Sequence, residues 1–331
     1  MNNTLNSTQT APRPGTEAPT GKAPWMPAGP ALLFAPADRP ERFQKAAERS
    51  DMVILDLEDG AREENKAQAR ENIRAIAREG SLDPERVIVR VNPLDSPHHA
   101  EDMRALQGTD FRTIMVPKAE DLSALTGSVL EDARVIALVE TPLGVINLPN
   151  IANHPLVVAL FWGAEDLTAA LGGTSSRYGA DEIPTPGGGL SGHPGGYREV
   201  PRVTRALTLL HAAAAGKVAI DSIHANTSDT DGAHAEATDA AASGFVATAA
   251  IHPGLVASIR NAYAPSDEQR TWAAKVIEGA AKNSGAFAVD GHMIDAPLLR
   301  QANMIHRRAQ AASRSGEPQP TATTNTQTTQ Q

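Results

Sequence analysis

A carboxylate closes the apolar run RVIALVE at Glu140, and the pattern recurs along the chain. Glu58 and Asp59 follow MVILDL, Arg90 stands near the end of RVIVRVN, Lys118 closes TIMVPK, Asp166 closes ALFWGAED, Asp221 lies in KVAIDSIH and His252 in TAAIHP. Taken singly, each has a plain explanation: a strand-end acid caps the next helix, and a strand-end arginine neutralises a neighbouring acid. Gathered in one place they ask for more, because unpaired buried ions are costly unless a metal or ligand completes the set. Glu140 and Asp166 are hard oxygen donors of the kind that hold Mg²⁺, which keeps water and substrate oxygens in its remaining positions. Arg90 adds a planar fork of donors suited to a carboxylate or an enolate oxygen. A metal, an arginine and acids of this kind stabilise a developing enolate, the chemistry of making or breaking a carbon–carbon bond beside a carbonyl.

Short apolar strands must position these residues. Eight β-type runs occur: ALLFAPA (31–37), MVILDLED (52–59), RVIVRVN (86–92), TIMVPK (113–118), RVIALVE (134–140), ALFWGAED (159–166), KVAIDSIH (217–224) and TAAIHP (248–253). Helix-like segments of mostly Ala, Glu, Arg and Leu fill the gaps. Strands buried on both faces read as continuous apolar runs, and an eightfold β/α alternation matches a closed (β/α)8 TIM barrel better than an open doubly wound sheet. In such barrels the chemistry sits at the C-terminal rim of the strands, where all the residues named above are expected. The expected organisation is a disordered polar tail over 1–28, a barrel over 29–265, a C-terminal helical segment over 266–313 and a second disordered tail over 314–331. Both tails lack the apolar side chains that would offset ordering entropy.

With 41% hydrophobic residues among 331, the chain can bury a sizeable core. A net charge of −9 gives no field to gather nucleic acid or an anionic membrane, so a small-molecule partner is expected. The absence of cysteine rules out disulfides, thiolate nucleophiles and Cys-ligated zinc. No apolar run approaches the roughly 20 residues that span a bilayer, and the first residues lack a basic start with an apolar core. A cytoplasmic protein is the expectation.

Other signals fail their context tests. GGGLSG at 187–192 satisfies G-x-G-x-x-G but follows IPTP rather than a strand, and HPGGY rather than a helix follows it. There is no H-E-x-x-H and no G-x-S-x-G elbow. The Ala-rich segments 206–215 and 237–243 read as helix-packing surfaces.

The blocks FAPADRPERFQKA, VILDLEDGA, VRVNP, VPKAED, ALVETPLGV, WGAEDLTAALGG, AIDSIH, GFVATAAIHP and DGHMIDAPLLRQA, in this order, resemble the citrate lyase beta-subunit-like family of CoA-ester lyases. That family belongs to the HpcH/HpaI aldolase/citrate lyase superfamily and includes malyl-CoA and citramalyl-CoA lyases. The resemblance runs from about residue 31 to 312. It implies a TIM barrel with a C-terminal helical lid, Mg²⁺ as cofactor, and retro-Claisen cleavage of a β-hydroxyacyl thioester into acetyl-CoA and a 2-oxo acid. It also implies a homotrimer or a hexamer. Glu140 and Asp166 align with metal ligands and Arg90 with a substrate-binding arginine, while Asp295 of DGHMIDAP matches an acid/base aspartate that the lid carries to a neighbouring subunit. Of the remaining rim residues, Glu58 is assigned with Arg90 and Asp295 to catalysis, and Lys118 and Asp59 with Arg90 to substrate binding. By position alone, VDGHM reads as a loop leading into a closing helix over 295–312, and Asp295 followed by Ala-Pro is an ordinary helix cap. One departure concerns the thioester carrier: Ala247 and Thr248 stand where many relatives show Gly-Lys before Ile-His-Pro, removing a lysine that could meet CoA. Two alternatives stay open, a thioester tethered to an acyl carrier protein as in a citrate lyase beta subunit, and a malyl-CoA thioesterase or malate-synthase-like activity.

Overall fold

The computed structural model describes residues 25–125, 132–179, 181–182, 195–283 and 285–314. The GGGLSG motif lies outside these residues, as do the two expected tails apart from residues 25–28 and 314. In chain order the elements are β1 (Ala31–Pro36), α1 (Phe43–Arg49), β2 (Met52–Asp56), α2 (Lys66–Glu79), β3 (Val87–Arg90), α3 (His99–Leu106), β4 (Thr113–Val116) and β5 (Arg134–Val139). They continue with α4 (Pro142–Ile146), α5 (Leu148–Asn153), β6 (Val157–Trp162), α6 (Ala164–Ala170), α7 (Glu199–Ala214), β7 (Val218–Asp221), α8 (Thr230–Ser243), β8 (Ala247–Ala250), α9 (Val256–Tyr263) and α10 (Asp267–Lys282). A hairpin, β9 (Phe287–Val289) with β10 (His292–Ile294), leads into α11 (Ala296–Arg314). Strands β1 to β8 pair in parallel in sequence order, and β8 pairs back to β1 to close the barrel. All eight expected strands form.

Alternation along each strand divides the core in two. Leu32, Met52, Ile54, Ile88, Ile136, Leu138, Phe161 and Ile220 pack together inside the barrel, while Leu33, Val53, Leu55, Val89, Val139 and Trp162 face the helices. Because successive side chains point to opposite faces, the inward series continues past the last apolar residue of each strand. Met52 and Ile54 lead to Asp56 and Glu58, Ile88 leads to Arg90, and Ile136 and Leu138 lead to Glu140. The Ala-rich helices behave as expected: Ala212 of α7 and Ala233, Ala237, Ala240 and Ala241 of α8 are buried against the barrel.

Two expectations need correction. The segment VDGHM, expected to be a loop, is the turn of an antiparallel hairpin with Val289 opposite His292. Asp290 and Gly291 at its tip have φ of 48° and 82°, the left-handed pair that an Asp-Gly dipeptide adopts in a tight hairpin. Asp221, expected at the rim, faces outward because Ile220 before it faces in. Its carboxylate accepts from Trp162 Nε1 at 2.7 Å and from Arg205 of α7, so it ties strand to helix rather than serving the cavity.

The C-terminal segment has its own small core of Ala273, Val276, Ile294, Ala302 and Ile305. Arg308 of α11 donates to the Phe245 carbonyl at 3.1 Å and lies over the Tyr263 ring. Residue 245 precedes β8, so this contact docks α11 at the entry of that strand, opposite the rim. Among the described residues, no helix is long and apolar enough to cross a membrane.

Candidate active site

A cavity of about 800 Å³ opens at the C-terminal rim, and Arg90, Asp56, Asp59, Glu140 and Asp166 line it, with His252 after β8. Arg90 is its organising residue. Its Nε and Nη2 donate to the two oxygens of Asp56 at 2.7 and 2.6 Å, a buried two-pronged pair. Its Nη1 stands 2.8 Å from Glu58 Oε2 but off the N–H line, so that contact is an ion pair rather than a hydrogen bond. The guanidinium also lies 5.0 Å from the Phe34 ring. The side-on fork expected to meet substrate is thus occupied by Asp56, and the remaining N–H bonds on Nη1 and Nη2 are what the cavity can use. Burial disfavours the charged guanidinium, but Asp56 outweighs it and raises the pKa.

Asp56 was not singled out from sequence. The available signal was its parity with Glu58, since residues two apart on a strand share a face. Asp56 also accepts from the backbone N–H groups of Glu58 at 3.0 Å and Gly60 at 2.8 Å, so it shapes the exit of β2 while aiming Arg90.

Glu58 and Lys118 do not line the cavity. Glu58 is buried and bridges Arg90 to Lys118, whose Nζ reaches the other carboxylate oxygen. Burial pushes the Glu58 carboxyl above its usual range despite the two cations. For Lys118 burial acts downward, and the bond to Glu58 outweighs it, leaving the ammonium raised. Lys118 has a φ of 47°, a left-handed conformation that turns its backbone N–H onto Glu140 Oε1 at 3.0 Å. Asp59 is 67% exposed at the mouth, 3.7 Å from Arg90 Nη2.

Glu140 is 3% exposed and accepts from the Lys118 backbone N–H, and among the described residues no side-chain cation forms an ion pair with it. Gly163 makes room for it, since a Cβ there would stand 2.7 Å from Glu140 Oε2. Asp166 is not at a strand end: β6 stops at Trp162, and Asp166 is exposed in the first turn of α6, where a helix N-terminus favours an acid. Burial, then the charges of Glu58 and Asp166, push Glu140 up to about 8. Among the described residues, five carboxylates (Asp56, Glu58, Asp59, Glu140, Asp166) gather about Arg90 and Lys118, while Arg42, Lys45 and Arg49 stand elsewhere on the cavity wall. No group of three or more metal-ligating side chains is preformed among these residues. Two carboxylates facing a cavity nonetheless fit Mg²⁺, which rarely takes a full protein cage.

The raised Glu140 carboxyl has a testable consequence. Its ordinary value is 4.5, so between about 4.5 and 8 the metal-free folded protein holds a proton that the unfolded chain has lost. The stability associated with that proton is full below about pH 4.5 and disappears as pH rises through about 8. Without metal, the Tm of the wild type should therefore fall relative to Glu140→Gln between about pH 4.5 and 8 and run parallel to it above that range. Parallel Tm profiles for the two proteins through that range would show that Glu140 ionises in its normal range.

Asp295, expected in the reaction, does not line this cavity in its own chain. It is exposed at the start of α11, where its Oδ1 accepts from the Leu298 N–H at 3.3 Å. Thr248, noted for the missing lysine, faces outward and bonds the Tyr263 hydroxyl at 2.9 Å. No cation is lost from the cavity wall there, and the wall carries three others, Arg42 just before α1 and Lys45 and Arg49 within it.

Comparison with known proteins extends this picture. The pattern of the family described as HpcH/HpaI aldolase/citrate lyase matches residues 31–253. The chain is 45% identical over 286 residues to a citrate lyase subunit beta-like protein of Mycobacterium tuberculosis, covering 86% of this chain and 97% of the relative. It is 29% identical over 300 residues to the mitochondrial citramalyl-CoA lyase of Homo sapiens, covering 82% and 83%. Among solved structures, protein CitE from Mycobacterium tuberculosis in complex with magnesium, acetoacetate and coenzyme A superposes with a TM-score of 0.72 at 45% identity, covering 85% of this chain and 98% of that one.

Proposed function

Because the chain belongs to the HpcH/HpaI aldolase/citrate lyase family, we propose that it is a Mg²⁺-dependent carbon–carbon lyase that cleaves a β-hydroxyacyl-CoA thioester of the malyl, citramalyl or citryl type. The observation that carries this reading is Glu140, a buried carboxylate with no ion-pair partner among the described residues, facing a cavity beside Asp166 and Arg90. The bound magnesium, acetoacetate and coenzyme A of the related CitE support it.

In the cleavage direction the β-hydroxyl gives up its proton, the bond between the carbinol carbon and the thioester α-carbon breaks, and a 2-oxo acid leaves. The electron pair remains as a thioester enolate, which takes a proton at its α-carbon. Glu140 and Asp166 would hold the Mg²⁺. When bound, the metal supplies positive charge against the oxygens that gain charge during cleavage. The free N–H bonds of Arg90 hold a substrate oxygen in a site where Asp56 has already fixed the guanidinium plane. Glu58 and Lys118 act from behind Arg90 by holding its position, and Asp59 meets the substrate at the mouth. Arg42, Lys45 and Arg49 suit the phosphates of CoA. Asp295 is the acid/base of a lid formed by residues 266–313. Its absence from the lining of its own cavity favours service to another copy in a homotrimer or hexamer.

The decisive experiment incubates the purified chain and Mg²⁺ with malyl-CoA and citramalyl-CoA. Acetyl-CoA with glyoxylate or pyruvate is the expected outcome. Free CoA with the intact hydroxy acid would identify a thioesterase, and turnover confined to an acyl-carrier thioester would identify a citrate-lyase-type beta subunit.

Arg90→Lys tests the arginine. The lysine keeps the charge but cannot grip both oxygens of Asp56, so a charge-assisted hydrogen bond of about 1.5–3 kcal/mol is lost. We expect a lower Tm together with a fall in kcat/KM of about 100-fold or more. Near-native kinetics in that variant would remove Arg90 from the reaction.

A further inference from the structure

Lys66, at the start of α2, is a buried lysine whose ammonium group faces three neutral oxygens. Nζ donates to the carbonyls of Leu57 at 2.9 Å and Glu58 at 3.0 Å, and to Asn92 Oδ1 at 2.9 Å. Its three N–H bonds are thereby matched by three acceptors. Burying such a group is costly, and an apolar side chain of equal length would fill the same space without that cost.

The two carbonyls explain what the group holds. β2 ends at Asp56, and Leu57 makes the last ladder contact, donating to the Arg90 carbonyl at 2.9 Å. Beyond it Lys66 stands where a neighbouring strand would otherwise supply donors. Glu58 is then gripped on both sides of its Cα, its N–H by Asp56 and its carbonyl by Lys66. Its side chain projects from this clamped backbone to Arg90 and Lys118. Asn92 completes the brace: its backbone N and Nδ2 donate to Asp102 Oδ2 at 2.8 and 2.6 Å, and Arg70 Nε holds Asp102 Oδ1 at 2.8 Å. Asp102 is fully buried, so the brace runs from the rim into the layer of α2 and α3.

We propose that Lys66 is a positioning residue, fixing through the Leu57 and Glu58 carbonyls the backbone that aims the Glu58 carboxylate at Arg90 and Lys118. The inference rests on the reading of the rim as the reactive centre. It is tested with Lys66→Met, which keeps the length and removes the donors, in full-length protein at a temperature well below its Tm. The crystal structure of the variant should show the Glu58 carboxylate withdrawn from hydrogen-bond distance of Arg90 or Lys118. Thioester cleavage should fall about 10- to 100-fold in kcat/KM, the range for supporting groups that hold a site in register. Mg²⁺ affinity should stay within about twofold, because the supporting contact is made to Glu58 and not to Glu140 or Asp166. A Glu58 carboxylate unmoved in the variant overturns the proposal, as does unchanged kcat/KM or a parallel loss of Mg²⁺ affinity, the mark of general disruption. If Lys66→Met does not fold, Asn92→Ala, which cuts the link to Asp102, is read in the same way. If the wild type cleaves no thioester, the lyase reading fails while the position of Glu58 in the variant still decides the brace.

Discussion

Glu140→Gln should fold into the same barrel, lose Mg²⁺ affinity and lose about 10³-fold or more in turnover. The replacement is nearly isosteric, and Gln can still accept from the Lys118 N–H that now meets Glu140 Oε1 at 3.0 Å. What disappears is negative charge at a buried position where Asp166 is the only other proposed ligand. A metal supplies several kcal/mol of charge stabilisation, and each 1.36 kcal/mol is about tenfold in rate, which sets the size of the expected loss. In the absence of metal the same change removes a carboxylate that burial and its acidic neighbours disfavour, so the Tm of the metal-free variant at alkaline pH should exceed that of the wild type. Loss of turnover with a gain in metal-free stability is the signature of a residue held against its own preference for a ligand. Calorimetric titration of Mg²⁺ with parallel turnover measurements checks it, and a Gln variant retaining full activity in EDTA would end the metal assignment.

Asp295→Asn should produce a folded, assembled, Mg²⁺-binding protein with almost no turnover. Asn is as good an N-cap as Asp, so the contact to the Leu298 N–H survives while the proton carrier is gone. A residue serving only as a cap predicts near-native rates. General acid–base groups contribute about 10² to 10⁴-fold, and that is the expected loss. The placement of Asp295 adds a second expectation. It does not line the cavity of its own chain, and α11 is docked by Arg308 at the entry of β8, the end opposite the rim. If the lid serves a neighbour, mixing inactive Arg90→Ala subunits with inactive Asp295→Asn subunits should restore part of the activity, since some sites then receive both intact residues. Mixed oligomers proven to have exchanged subunits but showing no recovery would exclude action between chains.

The barrel itself was legible in the sequence because continuous apolar runs broken by helical segments have few other solutions, and every one of the eight runs became a strand. The rim was legible for the same reason: a charged residue two places beyond the last inward apolar residue of a buried strand must face the open end, as Asp56 after Ile54, Arg90 after Ile88 and Glu140 after Leu138 all do. Parity also separates Asp221 and Thr248 from the site, although reading it requires knowing where each strand begins and ends, and those limits are set by ladder pairing with neighbours distant in sequence. The hairpin at Asp290 and Gly291 left a local signal in its dipeptide. Tertiary structure alone decided the pairings. That Asp56 occupies the side-on fork of Arg90, that Lys66 braces the carbonyl of Glu58, and that Lys118 turns its backbone onto Glu140 are contacts between residues 8 to 34 positions apart. Chain composition names the charges and alternation says which way they point, but which acid meets which cation depends on the stagger of adjacent strands and the path of the loops, and only the closed barrel specifies these.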